Sequence, residues 1–86
     1  MEMRKLVGEN FARLRAASGL TQEQVAERAN VSQQYVSGLE RGERNPTIET
    51  LQAIASALGV SHVELVRPID QAGSLTEPPP ESSTKE

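Results

Sequence analysis

The stretch LTQEQVAERANVSQQYVSGL, residues 20–39, decides the fold of this chain. It reads as two short helices joined by a tight turn. Ala26 falls where the two helices would cross and only a small side chain fits, and Asn30 falls where the backbone must turn left-handed. Val36 and Leu39 lie three residues apart, the spacing of one buried helix face. These features at these offsets together predict a compact helix-turn-helix unit.

Helix signals continue on both sides of this unit. Val7, Phe11 and Leu14 are spaced by four and then three residues, which predicts an amphipathic helix over residues 4–18. Thr21 followed three residues later by Gln24 forms a capping box that begins the second helix. The remaining expected caps and stops are Gly19, Ser32, Gly42, Thr47, Gly59 and Ser61. The sequence therefore predicts an all-α, five-helix domain over residues 1–69, with a third helix at 33–41 and a short last helix, HVELV.

The predicted core draws on every helix and on the turns between them. Its members are Phe11, Leu14, Leu20, Val25, Ala26, Val31, Val36, Leu39, Ile48, Leu51, Ile54, Leu58, Val60 and Leu65.

Composition excludes several classes of protein. The chain has 86 residues, no cysteine and one histidine, His62, which we expect on the surface, so we predict no metal site and no cofactor. No apolar run approaches membrane length and no signal-peptide pattern is present, so a cytoplasmic protein is expected. Residues 70–86 are rich in Pro, Ser and Glu, and we expect a disordered tail; a Pro-rich docking segment is the alternative.

The charge of the chain is concentrated at its end. The net charge is −3, and residues 68–86 carry one lysine against four acidic side chains, 1 − 4 = −3. The other 67 residues are therefore neutral, with 8 basic and 8 acidic groups. A neutral domain attracts phosphate only weakly, so binding to nucleic acid would need a locally basic face and a dimer.

The outward face of the third helix is polar but uncharged. With Gln33 at zero degrees, Ser37 falls at about 40, Gln34 at about 100 and Gly38 at about 140 degrees. Solvated helix faces usually carry Glu and Lys. A Gln amide can make two hydrogen bonds to adenine, and a Ser hydroxyl can donate one to a base or accept one from it. The residues of this face therefore indicate that it reads base edges. Ordinary solvated polar residues are the alternative.

Side chains that position such a helix on the DNA backbone lie close by. Gln22 stands at a helix N-terminus, where anions bind readily. Arg41, Arg44 and Asn45 follow the third helix and form a basic and polar clamp for phosphate, unless they are a solvated loop. Tyr35 borders the apolar side of the helix. Either its ring packs while its hydroxyl contacts phosphate, or the residue serves core packing alone.

The motifs LTQEQVA, VSQQYVSGLERGERNP and TIETLQAIASALGVS resemble the phage-repressor and Cro-like helix-turn-helix family, the XRE family. The resemblance covers residues 4–66 and implies a five-helix domain that binds pseudo-palindromic operators as a two-fold dimer. By that resemblance Gln33, Gln34 and Ser37 match base-reading positions, and Gln22 and Arg41 match phosphate-contacting positions. The chain departs from the family pattern at the turn, where Asn30 replaces the usual glycine.

The resemblance also implies two structural features. One is an ion pair between Arg15, late in helix one, and Glu40, late in helix three. The other is a dimer, for which the apolar strip of Val63, Val66 and Ile69 is the candidate interface. In its short length and in the stretch YVSGLERGERN the chain is similar to restriction-modification controller proteins. Repressors and antitoxins of the same size are the alternatives.

The sequence thus predicts a transcriptional regulator that binds a double-stranded DNA operator as a homodimer, with no membrane or metal partner. An enzyme is not expected, because no nucleophile with a base, no paired-carboxylate cleft and no phosphate-binding glycine loop is present. The rival hypothesis is an antitoxin or protein-interaction module, since one fold serves several functions.

Overall fold

A computed structural model describes residues 2–69 of the chain. In this part the chain forms five helices: α1 (Met3–Ser18), α2 (Gln22–Ala29), α3 (Gln33–Glu40), α4 (Ile48–Leu58) and α5 (Val63–Val66). The all-α, five-helix prediction is confirmed. The predicted tail, residues 70–86, lies outside the described residues. The described helices include none with the length and hydropathy that a membrane span requires.

Side-chain caps begin α2, α3 and α4 where the sequence predicts them. The Thr21 hydroxyl accepts from the Gln24 N–H at 3.0 Å, and the Gln24 side chain accepts from the Thr21 N–H at 2.9 Å. Ser32 and Thr47 likewise accept the N–H three residues later, at 3.0 and 3.1 Å. Asn30 ends α2 with φ of 60°, the left-handed turn that its position requires.

The core lies between two groups of helices that share α3. α1 packs against α3 and α5, while α2 packs against α3 and α4, so α3 is held from both sides. Each helix contributes at least one residue that is fully or nearly fully buried. The fully buried apolar residues are Phe11, Val25, Val36, Leu39, Ile54 and Leu65.

One predicted core residue is wrong and several are only half-buried. Ile48 is 85% exposed, because it opens α4 more than a turn before Ile54, the first fully buried residue of that helix. Periodicity gives the side of a helix that faces inward, but not how far along it the neighbouring helices extend. The half-buried members pack around the core: Leu14, Leu20, Val31, Leu51 and Val60.

The last helix is shorter than predicted. It begins at Val63, and His62 is exposed at the preceding cap position without a capping bond of its own. The Ser61 hydroxyl accepts from the Val63 N–H at 3.2 Å, so Ser61 still supports the first turn. With only four residues, α5 depends on the helices beneath it for its position.

Candidate nucleic-acid interface

α3 is fixed in place by its buried side. Val36 and Leu39 are fully buried, as their spacing predicts. Gly8 of α1 brings the backbones of the two helices into contact, since a Cβ at Gly8 would lie 2.5 Å from the Leu39 carbonyl oxygen and 2.9 Å from that of Glu40. Because the crossing is backbone against backbone, the opposite face of α3 points outward at a fixed angle.

An ion pair joins the ends of α1 and α3. The Arg15 guanidinium donates to both carboxylate oxygens of Glu40 and also to the Leu20 carbonyl at 2.8 Å. The two charged side chains are largely buried, with exposed fractions of 23% and 14%. The structure thus places in contact the two residues that the family resemblance pairs. Removing either partner would leave a poorly solvated charge, so the ion pair also holds α3 in position.

The two glutamines at the start of α3 are free. Gln33 and Gln34 are exposed, and neither side chain hydrogen-bonds to another residue within 2–69. Ser37, one turn later, is half-buried and its hydroxyl accepts from Nη1 of Arg41 at 2.5 Å. An arginine only donates, so the Ser37 hydrogen stays available for an acceptor. This face therefore presents two amides without a partner in the described chain and one hydroxyl that can still donate.

Arg44 covers part of this face. The helical period predicts that Gly38 faces outward, but Gly38 is buried, because the Arg44 side chain lies over it; a Cβ at Gly38 would stand 2.8 Å from Arg44 Nε. The Arg44 guanidinium also stacks over the Tyr35 ring, 5.3 Å from its centroid. Glycine at position 38 therefore makes room for Arg44, and the loop cation lies along the helix.

Tyr35 packs against the core from the rim of this face. It is half-buried, and desolvation raises the pKa of its phenol while the nearby Arg44 charge opposes that rise. The structure therefore shows how its ring packs, whereas a contact between its hydroxyl and phosphate stays a prediction.

Arg41 has a partner that the sequence pattern did not predict. Its guanidinium contacts the Glu43 carboxylate at 3.1 Å, and this hydrogen bond and charge lower the pKa of Glu43. Both side chains are more than half exposed, at 56% and 60%, so the pair is weak and exchangeable. The alternation of charges in ERGER was the available signal.

Gln22 and Asn45 stand apart from this cluster. Gln22 is half-buried at the first position of α2. Asn45 is exposed and lines a shallow hollow together with Met3 and Pro46. In the part of the chain from 2 to 69, no group of three acidic or histidine side chains could hold a metal ion. The side chains described above can act through hydrogen bonds and through charge.

The proposed dimer strip is partly accessible. Val63 is 45% exposed, while Val66 and Ile69 are half-buried. Val66 packs in part against the core. The strip therefore presents mainly Val63 and the outer edges of the other two side chains.

Comparison with known proteins places these features in context. The helix-turn-helix family matches residues 11–65. The chain is 68% identical over 71 residues, 83% of its length and 92% of the relative, to the uncharacterized HTH-type transcriptional regulator y4dJ of Sinorhizobium fredii. It is 36% identical over 66 residues, 77% of its length and 79% of the relative, to control protein C.SmaI of Serratia marcescens. The structure resembles the restriction-modification controller protein C.AhdI of Aeromonas hydrophila with a TM-score of 0.70, at 35% identity, over 72% of this chain and 94% of that one.

Proposed function

The chain belongs to the helix-turn-helix family, and we propose from this premise that it is a transcriptional regulator that binds a pseudo-palindromic operator in double-stranded DNA as a homodimer. One observation carries the proposal: α3 is held rigidly from behind while two unpartnered amides lead its outward face. The relatives in the comparison are an HTH-type transcriptional regulator and a control protein, which supports a regulatory role. A regulator of this kind acts where the DNA is, which for a prokaryotic cell is the cytoplasm.

α3 enters the major groove with its N-terminal residues against the bases. Gln33 and Gln34 read base edges through their amides, each able to make a bidentate contact with adenine. Ser37 reads from the next turn, donating the hydrogen that its bond with Arg41 leaves available. The exposure of both glutamines supports this assignment.

Phosphate contacts fix the register of α3. Arg41 and Arg44 supply the charge, Gln22 and Asn45 supply amides at the edges, and Tyr35 supplies its hydroxyl. The position of Arg44 over Gly38 supports a contact close to the helix. The weak pair with Glu43 leaves Arg41 free to exchange a carboxylate for a phosphate.

Two protomers meet through the strip of Val63, Val66 and Ile69. A two-fold contact places the same residues of both copies against each other. The two α3 helices then bind two half-sites that lie about one turn of DNA apart, roughly 34 Å. The 45% exposure of Val63 supports an apolar contact there.

Selection of bound duplexes from a random DNA library tests the function. We expect an inverted repeat, bound cooperatively by wild-type protein. Gln33→Ala and Gln34→Ala each remove one amide, and each should weaken binding by about 1–3 kcal/mol for every bidentate pair of hydrogen bonds that the amide makes to a base. Each variant should also relax the preference at one position of each half-site. Affinities by fluorescence anisotropy and a repeated selection with each variant measure both effects.

Gln52→Ala provides the matched control, since Gln52 is an exposed glutamine on α4. Its operator affinity should equal that of the wild type. If no sequence is enriched and all four proteins bind random duplex equally, operator recognition by this face is excluded and the antitoxin or protein-interaction hypothesis gains support.

A further inference from the structure

We propose that Asn10 is the positioning residue of the dimer contact: it holds the backbone on which the strip of Val63, Val66 and Ile69 is mounted. This role rests on the homodimer of the proposed function. Asn10 touches neither DNA nor the partner, and it acts through the backbone around α5.

Asn10 is the one polar residue among the fully buried side chains of the described chain. Its Nδ2 donates to the carbonyl oxygens of Leu65 and Arg67, both at 2.9 Å. Its Oδ1 accepts from Nη2 of Arg13, also at 2.9 Å. The amide thus uses both of its donors on one short backbone segment, 55 and 57 residues away along the chain.

α5 needs such a partner because it is too short to hold itself. The last carbonyls of any helix have no donor to pair with inside that helix, and in a four-residue helix this applies to nearly all of them. Buried carbonyls without a donor are costly. Asn10 supplies two donors from α1, the helix against which α5 chiefly packs.

The amide orientation is fixed by charge. Arg13 can only donate, so Oδ1 must face it and Nδ2 must face the two carbonyls. An ion pair between Glu64 and Arg67, 2.9 Å apart, links two residues of the same segment. No apolar residue and no carboxylate could supply both donors at this position.

The two carbonyls that accept from Asn10 alternate along the chain with the residues of the strip. Leu65 and Arg67 flank Val66, and Val63 and Ile69 lie three residues before and three residues after Val66. Anchoring these two carbonyls sets the angle at which the strip faces a partner. In a two-fold interface any change of angle occurs in both copies, so its effect on association is doubled.

Asn10→Asp in the full chain is the direct test. It keeps the shape and the contact with Arg13, but removes both donors and sets a carboxylate against two carbonyl oxygens. We expect the dimer dissociation constant from analytical ultracentrifugation to rise at least about tenfold. Binding to a duplex with a single half-site, at concentrations where both proteins are monomers, should stay within about twofold.

Hydrogen exchange supplies a second readout. Amides of residues 63–69 should exchange faster in the variant, while those of α2, α3 and α4 keep their protection. Val25→Ala is the control, because it loosens the core at α2, whereas α5 packs chiefly against α1. If Val25→Ala weakens the dimer as much as Asn10→Asp at equal loss of thermal stability, general destabilisation explains both and the positioning role is overturned.

Arg13→Met decides the matter if Asn10→Asp does not fold. It removes the guanidinium that orients the amide but keeps both donors, so it should fold and weaken the dimer by about threefold. Unchanged dimer affinity in a folded Asn10 or Arg13 variant overturns the proposal. A wild-type protein that stays monomeric even on the operator would overturn the dimer itself, a separate result that is visible before any variant is made.

Discussion

Tyr35 and Arg44 set the chemistry at the rim of the outward face of α3. The ring is half-buried against the core and carries a guanidinium 5.3 Å from its centroid. Burial disfavours the phenolate and raises the pKa, whereas the charge of Arg44 favours the phenolate and lowers it. Burial prevails, so the pKa of Tyr35 lies above its ordinary value of 10.0.

This balance predicts an alkaline limit to stability. The folded protein holds the Tyr35 proton more tightly than the unfolded chain, so this contribution to stability is fully present below the unfolded pKa and is lost as pH rises through the folded one. Tyr35 is the only tyrosine, so tyrosinate absorbance reports it alone. Arg44→Met should raise its pKa further, because the opposing charge is gone. A pKa that falls in this variant would contradict the stacked geometry.

The crossing of α1 and α3 depends on one glycine, Gly8. Gly8 lies in the middle of α1, where alanine would ordinarily favour the helix by about 1 kcal/mol. A methyl group there would meet the Leu39 carbonyl oxygen at 2.5 Å and the Gly42 nitrogen at 3.1 Å. These are backbone atoms and cannot rotate away, so the crossing distance itself would have to increase.

Gly8→Ala should therefore destabilise the domain by about 2–3 kcal/mol in urea unfolding, despite the better helix propensity. It should also weaken operator binding in the folded fraction, because α3 would tilt. Gly19→Ala is the matched control: Gly19 has φ of 76° but no atom within 4 Å of a Cβ. We expect it to cost about 1–2 kcal/mol through backbone strain alone, with operator binding intact. Equal effects on DNA binding would rule out the crossing as the cause.

Local signals made most of the elements predictable. The caps at Thr21, Ser32 and Thr47 and the left-handed Asn30 depend on neighbours within three residues, so the sequence displays them directly. The prediction for Ile48 was wrong because its exposure depends on where other helices end.

The candidate site was predictable only in part. Its polar residues follow from the helical period, and the Arg15–Glu40 pair followed from resemblance. The packing of Arg44 over Gly38 required the path of a loop in space, so Gly38 was misplaced. The burial of Asn10 had a signal, since Asn10 lies three residues after Val7 and four before Leu14, but its acceptors lie far away along the chain.

The helical domain carries almost no net charge. Over residues 1–67 the charges balance, so attraction to DNA comes from arrangement rather than from net charge. Arg41 and Arg44 are the cations of the proposed interface, which gives four in a dimer. In each protomer Glu43 forms an ion pair with Arg41 and would compete with phosphate for that arginine.

A salt titration should reveal this competition. With four arginine contacts we expect log affinity for the operator to fall against log salt with a slope of about −3 to −4. Glu43→Gln should tighten binding to random duplex and steepen the slope, because Arg41 no longer leaves a carboxylate to reach phosphate. The control is Glu9→Gln, an exposed charge on α1. If both variants gain affinity equally, net charge alone is responsible.

Gln33 and Gln34 contribute nothing to the interior that supports them, since both are exposed and within residues 2–69 neither side chain has a hydrogen-bonding partner. Selection on these two positions is therefore separated from selection on folding. Under the proposed function, substitutions there should alter which duplex is preferred while leaving the stability of the domain nearly unchanged. A gene copy can thus diverge towards a new set of targets through single changes, and an engineer can exchange the same two residues as a library without repairing the domain around them.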